Sequence, residues 1–373
     1  MKLNNFMNQG IKNIIETAAR FYLNNRRGQS FMLKMGSAFH RGSQIRDEHE
    51  KKGLHIPPFL IASIASDCNL HCTGCYAWAN GGCGGNTHDE MTTTDWRRIF
   101  GEASDIGISF ILLAGGEPLM RRDVIETAAE LEKIIFPVFT NGTMIDEQVL
   151  SIFDTHRNLI PVLSIEGDEE QTDARRGSGI SEKIKKTTLR FREKNILYGV
   201  SITVSTENKD AVTEQGYVNS LRENGCGVVF YIEYVPVEKN TEQLILNDTD
   251  LSELQERIDR LRADKLNKGM ILLSFPGDED AMGGCLAAGR GFFHINPYGG
   301  AEPCPFSPYS EMNLKQHSLI EVLESPFFEK VREISASEAL NHKGGCTLFQ
   351  HEDEVKCIES TGSRDFINPV SIE

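Results

Sequence analysis

Cys68, Cys72 and Cys75 stand at C-x3-C-x2-C spacing in the stretch Ser66-Asp67-Cys68-Asn69-Leu70-His71-Cys72-Thr73-Gly74-Cys75-Tyr76. They follow Phe59-Leu60-Ile61-Ala62-Ser63-Ile64-Ala65, an apolar run with the length of a buried strand. The chain must therefore end a strand in a loop that can wrap a metal group. A loop of this spacing can ligate three irons of a cubane iron–sulfur cluster and leaves the fourth without a protein ligand. An open metal position is a place for a substrate or cosubstrate. The competing reading is a structural zinc loop or three buried thiols. Zinc asks for four ligands in paired short spacings, and the nearest extra thiol, Cys83, lies in the glycine tract Gly81-Gly82-Cys83-Gly84-Gly85.

Beyond residue 55 apolar strands alternate with amphipathic helices. The strands are expected at Phe59 to Ala65, Ser109 to Ala114, Ile134 to Phe139, Ile160 to Ile165, Leu197 to Val204 and Val228 to Tyr234. Helices are expected near Thr94 to Ser104, Arg122 to Lys133, Asp146 to Asp154, Ser181 to Lys194, Asp210 to Glu223 and Leu251 to Leu266, with a further strand at Met270 to Phe275. Six βα units in a row imply a parallel sheet. Periodicity alone fits either an incomplete barrel or a flat doubly wound sheet. From Pro276 onward Gly, Pro and Cys rise and the periodicity fades, which marks a small irregular domain needing a metal staple.

In a parallel βα barrel, chemistry gathers in the loops after the strands. Gly115-Gly116-Glu117-Pro118 follows the second strand, Thr140-Asn141-Gly142-Thr143 the third and Ser164-Ile165-Glu166-Gly167 the fourth. Paired glycines let backbone approach a ligand closely, and Glu117 can accept a hydrogen bond from an ammonium group. C-x3-C-x2-C one βα unit before GGEP resembles the radical S-adenosylmethionine (SAM) superfamily. That resemblance implies a partial (β/α)6 TIM barrel and a [4Fe–4S] cluster whose open iron is chelated by the amino and carboxylate groups of SAM. It implies reductive cleavage of SAM to a 5′-deoxyadenosyl radical, which abstracts hydrogen from an unactivated carbon.

By the same resemblance the GGEP residues would hold the SAM amino group, and Ser164 and Glu166 would meet its ribose and carboxylate region. Arg176 or its neighbour Arg175 would pair the SAM carboxylate, Thr203 and Ser205 would reach the cosubstrate, and the Glu233 region would offer backbone contacts to adenine. An electron donor such as flavodoxin or ferredoxin would serve the cluster. One departure stands out. The family often places an aromatic or imidazole residue before the third cysteine, and this chain has Gly74 there.

Cys285 precedes Gly299 by C-x13-G, and Gly299-x4 reaches Cys304; Cys346 and Cys357 follow. The spacing resembles SPASM and Twitch accessory domains, with a one-cluster Twitch-like form fitting better because the longer cysteine run of SPASM is missing. Four thiolates would close a second [4Fe–4S] cluster. A four-cysteine zinc site is the rival. Cys83 is read as an incidental thiol and Cys226 as a small buried residue. The expected organisation is an N-terminal helical extension over 1–54, the barrel over 55–275 and the auxiliary-cluster domain over 276–373.

Net charge is −15, which excludes general nucleic-acid binding. Residues 1–46 hold eight basic residues against one acid, Glu16, and so carry +7, leaving −22 on the rest. Phe6, Met7, Ile11, Ile14, Ile15, Ala18, Phe21 and Tyr22 recur there at helical spacing. A helix packed on the barrel is the favoured reading, with an anionic membrane surface as the alternative. Nine cysteines without a signal peptide read as metal ligands in a reducing cytoplasm, with the enzyme at most peripheral to a membrane. The substrate is expected to be a peptide or protein, although only about fifty residues precede the barrel, too few for the leader-recognition module of peptide-modifying relatives. A small metabolite or a membrane lipid is the alternative, and an iron–sulfur electron carrier is disfavoured because a carrier needs no SAM site.

Overall fold

The computed structural model describes residues 17, 19, 21–23, 26–81, 83–84, 87–337 and 345–365. The apolar positions expected at Phe6, Met7, Ile11, Ile14, Ile15 and Ala18 lie outside the described residues. Seven parallel strands run in chain order: β1 (Phe59–Ala65), β2 (Phe110–Gly115), β3 (Phe136–Thr140), β4 (Leu159–Ile165), β5 (Tyr198–Val204), β6 (Cys226–Glu233) and β7 (Ile271–Phe275). A doubly wound sheet reverses its strand order at a switch point. This one does not, so it curls into an open barrel. Expectation and structure agree on β1 to the residue. In the other strands the boundaries move by at most two residues, and the further strand expected at Met270 to Phe275 forms as β7.

The helices include α1 (Arg26–Lys51), α2 (Tyr76–Ala79), α3 (Thr93–Asp105), α4 (Arg122–Ala129), α5 (Glu147–Thr155), α6 (Glu169–Arg176), α7 (Ile180–Glu193), α8 (Gln215–Glu223), α9 (Asp248–Ala263), α10 (Leu319–Leu323), α11 (Pro326–Ser337), α12 (Thr347–Gln350) and α13 (Glu352–Asp365). Their starts are set by local chemistry. Thr92 with Asp95, Asp168 with Gln171 and Asn247 with Asp250 form reciprocal capping boxes that satisfy the first free N–H groups of α3, α6 and α9.

On each strand alternate residues face the helices and are buried, while the others face the barrel lumen. Lumen walls are mostly apolar, including Ile61, Leu112, Phe139, Val162, Phe230 and Leu273. α1 crosses the barrel floor. Phe31, Met35 and Phe39 recur every four residues on one face and pack with Tyr22 against Ile135, Ile160 and Leu197. Three of the eight N-terminal basic residues make partners in the barrel: Arg27 with Asp154 at 2.8 Å, Lys34 with Glu132 at 2.6 Å, and Arg46 with the Gly107 carbonyl. The described part of the extension thus packs on the barrel through Tyr22, Phe31, Met35 and Phe39.

The C-terminal region extends the same sheet. β8 (His294–Ile295) pairs parallel with β1, and β9 (Gly300–Glu302) and β10 (Met312–Asn313) add antiparallel strands beyond it. A buried chain of side chains seals this joint. His294 bonds Ser63 Oγ of β1 through Nε2 at 2.7 Å and Glu302 of β9 through Nδ1 at 2.7 Å.

Candidate active site

The cysteine loop leaves the C-terminal end of β1 and is laced to the loops that follow three other strands. Asn141 Nδ2 donates to Asn69 Oδ1 and Asn69 Nδ2 to Thr143 Oγ1, both at 2.8 Å. Thr73 and Arg175 are joined twice, through the backbone N–H of Thr73 and through Arg175 Nε. Glu117 N–H donates to the Asp67 carbonyl at 2.8 Å. Strand-end loops from distant parts of the chain therefore hold the triad in place.

Cys68, Cys72 and Cys75 line one end of a cavity of about 460 Å³ that opens into the lumen. Gly115, Gly116, Glu117, Ser164, Arg176, Thr203 and Glu233 border it too. Most of the expected set is thus gathered around one space, with Pro118, Glu166 and Ser205 outside its lining, and several members are committed to protein partners. Glu117 is 1% exposed. Its Oε1 accepts from Leu119 N–H and Thr140 Oγ1, and its Oε2 from Asn141 N–H. Burial pushes its carboxyl up, and these three donors pull it back. A carboxylate has about four acceptor sites, so one on Oε2 remains for an ammonium group. Thr140 and Asn141, at the end of the third strand, are the strut that orients Glu117.

Glu166 differs more from expectation. Its Oε1 is clamped by Arg175 Nη1 at 2.6 Å and by Arg176 Nε at 2.8 Å. Arg176 also lies 4.0 Å from the Cys72 sulfur. The pair expected to meet a cosubstrate from two sides is thus internally joined, and it sets a positive charge beside a cluster thiol. Glu233 borders the cavity and is also tied to the C-terminal region, where its Oε2 accepts from Gly345 N–H at 2.9 Å. Pro118 starts the short turn after the paired glycines and is buried.

Gly74 is explained by the fold. Its φ is +68°, and a Cβ there would sit 2.5 Å from the Tyr234 hydroxyl and 2.7 Å from its ring. The ring that this loop lacks in sequence is supplied from the end of β6. Cys83 is also better placed than its glycine tract suggested. It is buried, and its sulfur lies 3.1 Å from where a Gly116 Cβ would be.

Burial pushes the Cys68 thiol up to about 11 and raises Cys72, with the Arg176 charge opposing the latter. Metal ligation needs thiolates, so loading this site releases protons. Three thiols on one loop at a cavity mouth are a donor set that fits an iron–sulfur cube with one iron open to the cavity.

A second thiol group lies under the sheet extension. Cys285, Cys304 and Cys346 lie within electrostatic reach of one another. Cys285 and Cys304 are 6% and 3% exposed, and burial pushes both thiols well above their usual range. Cys357, the expected fourth ligand, lies exposed on α13. The segments that carry the two thiol groups touch: the Tyr76 ring packs edge-on to Phe306 at 5.4 Å, and Asn80 Nδ2 donates to the Pro305 carbonyl at 3.0 Å.

Residues 63–214 match the family described as the Radical SAM superfamily. The chain is 26% identical over 326 residues to an AdoMet-dependent heme synthase of Methanosarcina barkeri (strain Fusaro), covering 79% of this chain and 89% of that protein. It is 23% identical over 306 residues to a PqqA peptide cyclase of Granulibacter bethesdensis, covering 75% of this chain and 77% of the relative. Among solved structures, Streptococcus suis SuiB bound to precursor peptide SuiA superposes with a TM-score of 0.65 at 20% identity, covering 82% of this chain and 75% of SuiB. Native anSMEcpe with bound AdoMet gives 0.59 at 18% identity, over 75% of this chain and 84% of that one. At these identities the structural likeness concerns the fold.

Proposed function

The chain is an enzyme of the radical SAM superfamily, and from that premise we propose that it cleaves SAM reductively and takes a hydrogen atom from an unactivated carbon of a peptide or protein. The observation that carries the reading is the convergence of the three thiols, the paired glycines and Glu117 on one cavity. Cys68, Cys72 and Cys75 would hold a [4Fe–4S] cluster, and the remaining acceptor site of Glu117 would take the SAM ammonium. When bound, these two groups supply the one-electron reduction and the hydrogen-abstracting radical.

The protein's own part is binding, orientation and exclusion of water. Arg175 and Arg176, joined through Glu166, fix the loop that carries Cys72 and Cys75. Apolar lumen walls and the α1 floor keep water from the reacting carbon. Cys285, Cys304 and Cys346 would hold a second cluster, within reach of the first through the contacts of Tyr76 and Asn80. It would accept the electron left on the oxidised substrate.

The peptide reading is supported by the PqqA peptide cyclase likeness and by the fold shared with SuiB. A second reading, a small apolar metabolite, is supported by the apolar lumen and by the heme synthase likeness over most of both chains. Anaerobically loaded protein given dithionite and SAM should release 5′-deoxyadenosine, and the Cys68, Cys72, Cys75→Ala triple variant should not. SAM cleavage by the triple variant would sink the assignment. Deuterium transfer into 5′-deoxyadenosine from a labelled peptide, but not from a labelled tetrapyrrole, would decide between the substrate readings.

A further inference from the structure

We propose that Glu233, Ser274 and Gln255 form a subsite that holds a protonated amino group of the substrate. The proposal deepens the peptide reading above and rests on it. Three observations point to it.

First, three side-chain oxygens converge at the cavity wall. Glu233 ends β6 and Ser274 lies on β7, and both border the cavity that the three cluster thiols line. Gln255 reaches in from α9. A Cβ at Gly277 would sit 2.6 Å from Ser274 Oγ, 2.9 Å from Gln255 Oε1 and 2.9 Å from Glu233 Oε1. Gly277 does not have positive φ, so the need for glycine here is steric: it leaves room for the oxygens to come together. The strand ends deliver them to the same end of the barrel as the cysteine loop. Tyr234, next to Glu233, packs on Gly74 of that loop.

Second, two of the three oxygens have no partner. Ser274 is 4% exposed, and its Oγ makes no hydrogen bond among the described residues. The same holds for the buried Oε1 of Gln255. Gln255 Nε2 donates to Asp259 Oδ1 at 3.1 Å, which assigns Oε1 as the atom turned to Gly277. Buried polar atoms are nearly always satisfied, so these two need a donor that the fold does not provide. One proton on Glu233 could serve only one of them.

Third, the chemistry of the wall selects the donor. Carboxylate and amide oxygens accept, and a hydroxyl can accept as well. An ammonium group brings three donors and no acceptor. A propionate would instead face the Glu233 carboxyl and an amide oxygen that cannot donate. Arg262, beside Asp278, is already committed: it donates to Asp278 Oδ2 at 2.7 Å, to Asp259 Oδ1 at 3.0 Å and to the Leu272 carbonyl at 2.9 Å. Burial, with nearby Asp278, holds the Glu233 carboxyl up at about 7, so an ammonium group arriving near neutral pH draws it into the ionised form. An amino group held here leaves the carbons beside it in the cavity shared with the cluster thiols.

The test uses the full chain, anaerobically loaded and with SAM present. Binding of hexylammonium, hexanol and hexanoate is measured by isothermal titration calorimetry at physiological salt. The probes share one apolar tail, so differences between them report the head group. Hexylammonium should bind about tenfold tighter than hexanol, and hexanoate more weakly than either. Ser274→Ala and Glu233→Gln should each weaken hexylammonium by about tenfold and leave hexanol unchanged, which also shows that the variants are folded. Gly277→Ala should remove the preference for the amine, because its methyl group fills the place where the oxygens converge. Equal affinity for all three probes in the wild type would mean that water alone meets these oxygens, and it overturns the proposal. Wild-type hexylammonium affinity in both Ser274→Ala and Glu233→Gln overturns it too. A selective amine site in a protein that releases no 5′-deoxyadenosine would instead overturn the proposed function and leave the subsite standing.

Discussion

Replacing Gly116 by Ala tests whether the paired glycines are needed for close approach between loops. Gly116 does not have positive φ, so the argument is steric alone. A Cβ at this position would lie 2.0 Å from the Asp67 carbonyl oxygen, 2.5 Å from its carbon and 3.1 Å from the Cys83 sulfur. Even a tight contact of 3.0 Å requires the two loops to part by at least 1 Å. That movement breaks the bonds from Gly116 N–H to Ala65 and from Glu117 N–H to Asp67, both 2.8 Å. Each is worth about 1 kcal/mol, and forced overpacking adds about 1–3 kcal/mol, for a total of about 3–5 kcal/mol. For a chain of this size that lowers the melting temperature by roughly 5 °C. The larger effect is on the site, because a misplacement of about 1 Å can cost about 100-fold. Anaerobic equilibrium dialysis should show SAM affinity weaker by about that factor, with the cluster still loaded. Gly36→Ala is the control. No atom lies within 4 Å of its Cβ, and α1 should gain about 1 kcal/mol without change in SAM affinity. Wild-type SAM affinity and melting in Gly116→Ala would refute the reasoning.

Three further outcomes are expected. Burial, with nearby Asp278, holds the Glu233 carboxyl up at about 7, so it is neutral in the folded state at a pH where the unfolded chain has ionised. Its contribution is complete below the ordinary carboxylate range and is lost as pH rises toward 7, by about 3 kcal/mol at most; urea unfolding of metal-free protein at pH 5 and pH 7.5 should show that slope, and Glu233→Gln should flatten it. Gly74→Phe should collide with Tyr234 and lower iron retention, and adding Tyr234→Ala should recover part of the loss; equal iron in all three proteins would break the link between these residues. Deleting residues 1–51 removes Tyr22, Phe31, Met35 and Phe39 from the floor, at about 2 kcal/mol for each large side chain, so cooperative thermal unfolding should vanish; a sharp transition in the truncated protein would show that the floor is dispensable.

How much was legible in the sequence depended on how far apart the cooperating residues lie. The triad, GGEP and the βα alternation are written within short windows, because thiol spacing, glycine pairs and helix or strand periodicity act over a few residues. They determined the resemblance to the radical SAM superfamily, the parallel sheet, the strand ends where the site forms and, for β1, the strand limits themselves. The helix Arg26–Lys51, which packs through Phe31, Met35 and Phe39, was not read in the sequence, where the apolar spacing noted runs from Phe6 to Tyr22. The roles of individual polar residues were not. Glu117 is occupied by Thr140 and Asn141, and Glu166 by two arginines, because strand register brings those loops together. Tyr234 fills the space beside Gly74 from 160 positions away in the chain. His294 joins Ser63 to Glu302 only because β8 pairs with β1. Cys357 counted as a thiol in sequence, but the phase of α13 decides which way it points. Spacing along the chain determines which groups can form one loop; only the packing of strands and helices decides which of them face the same space.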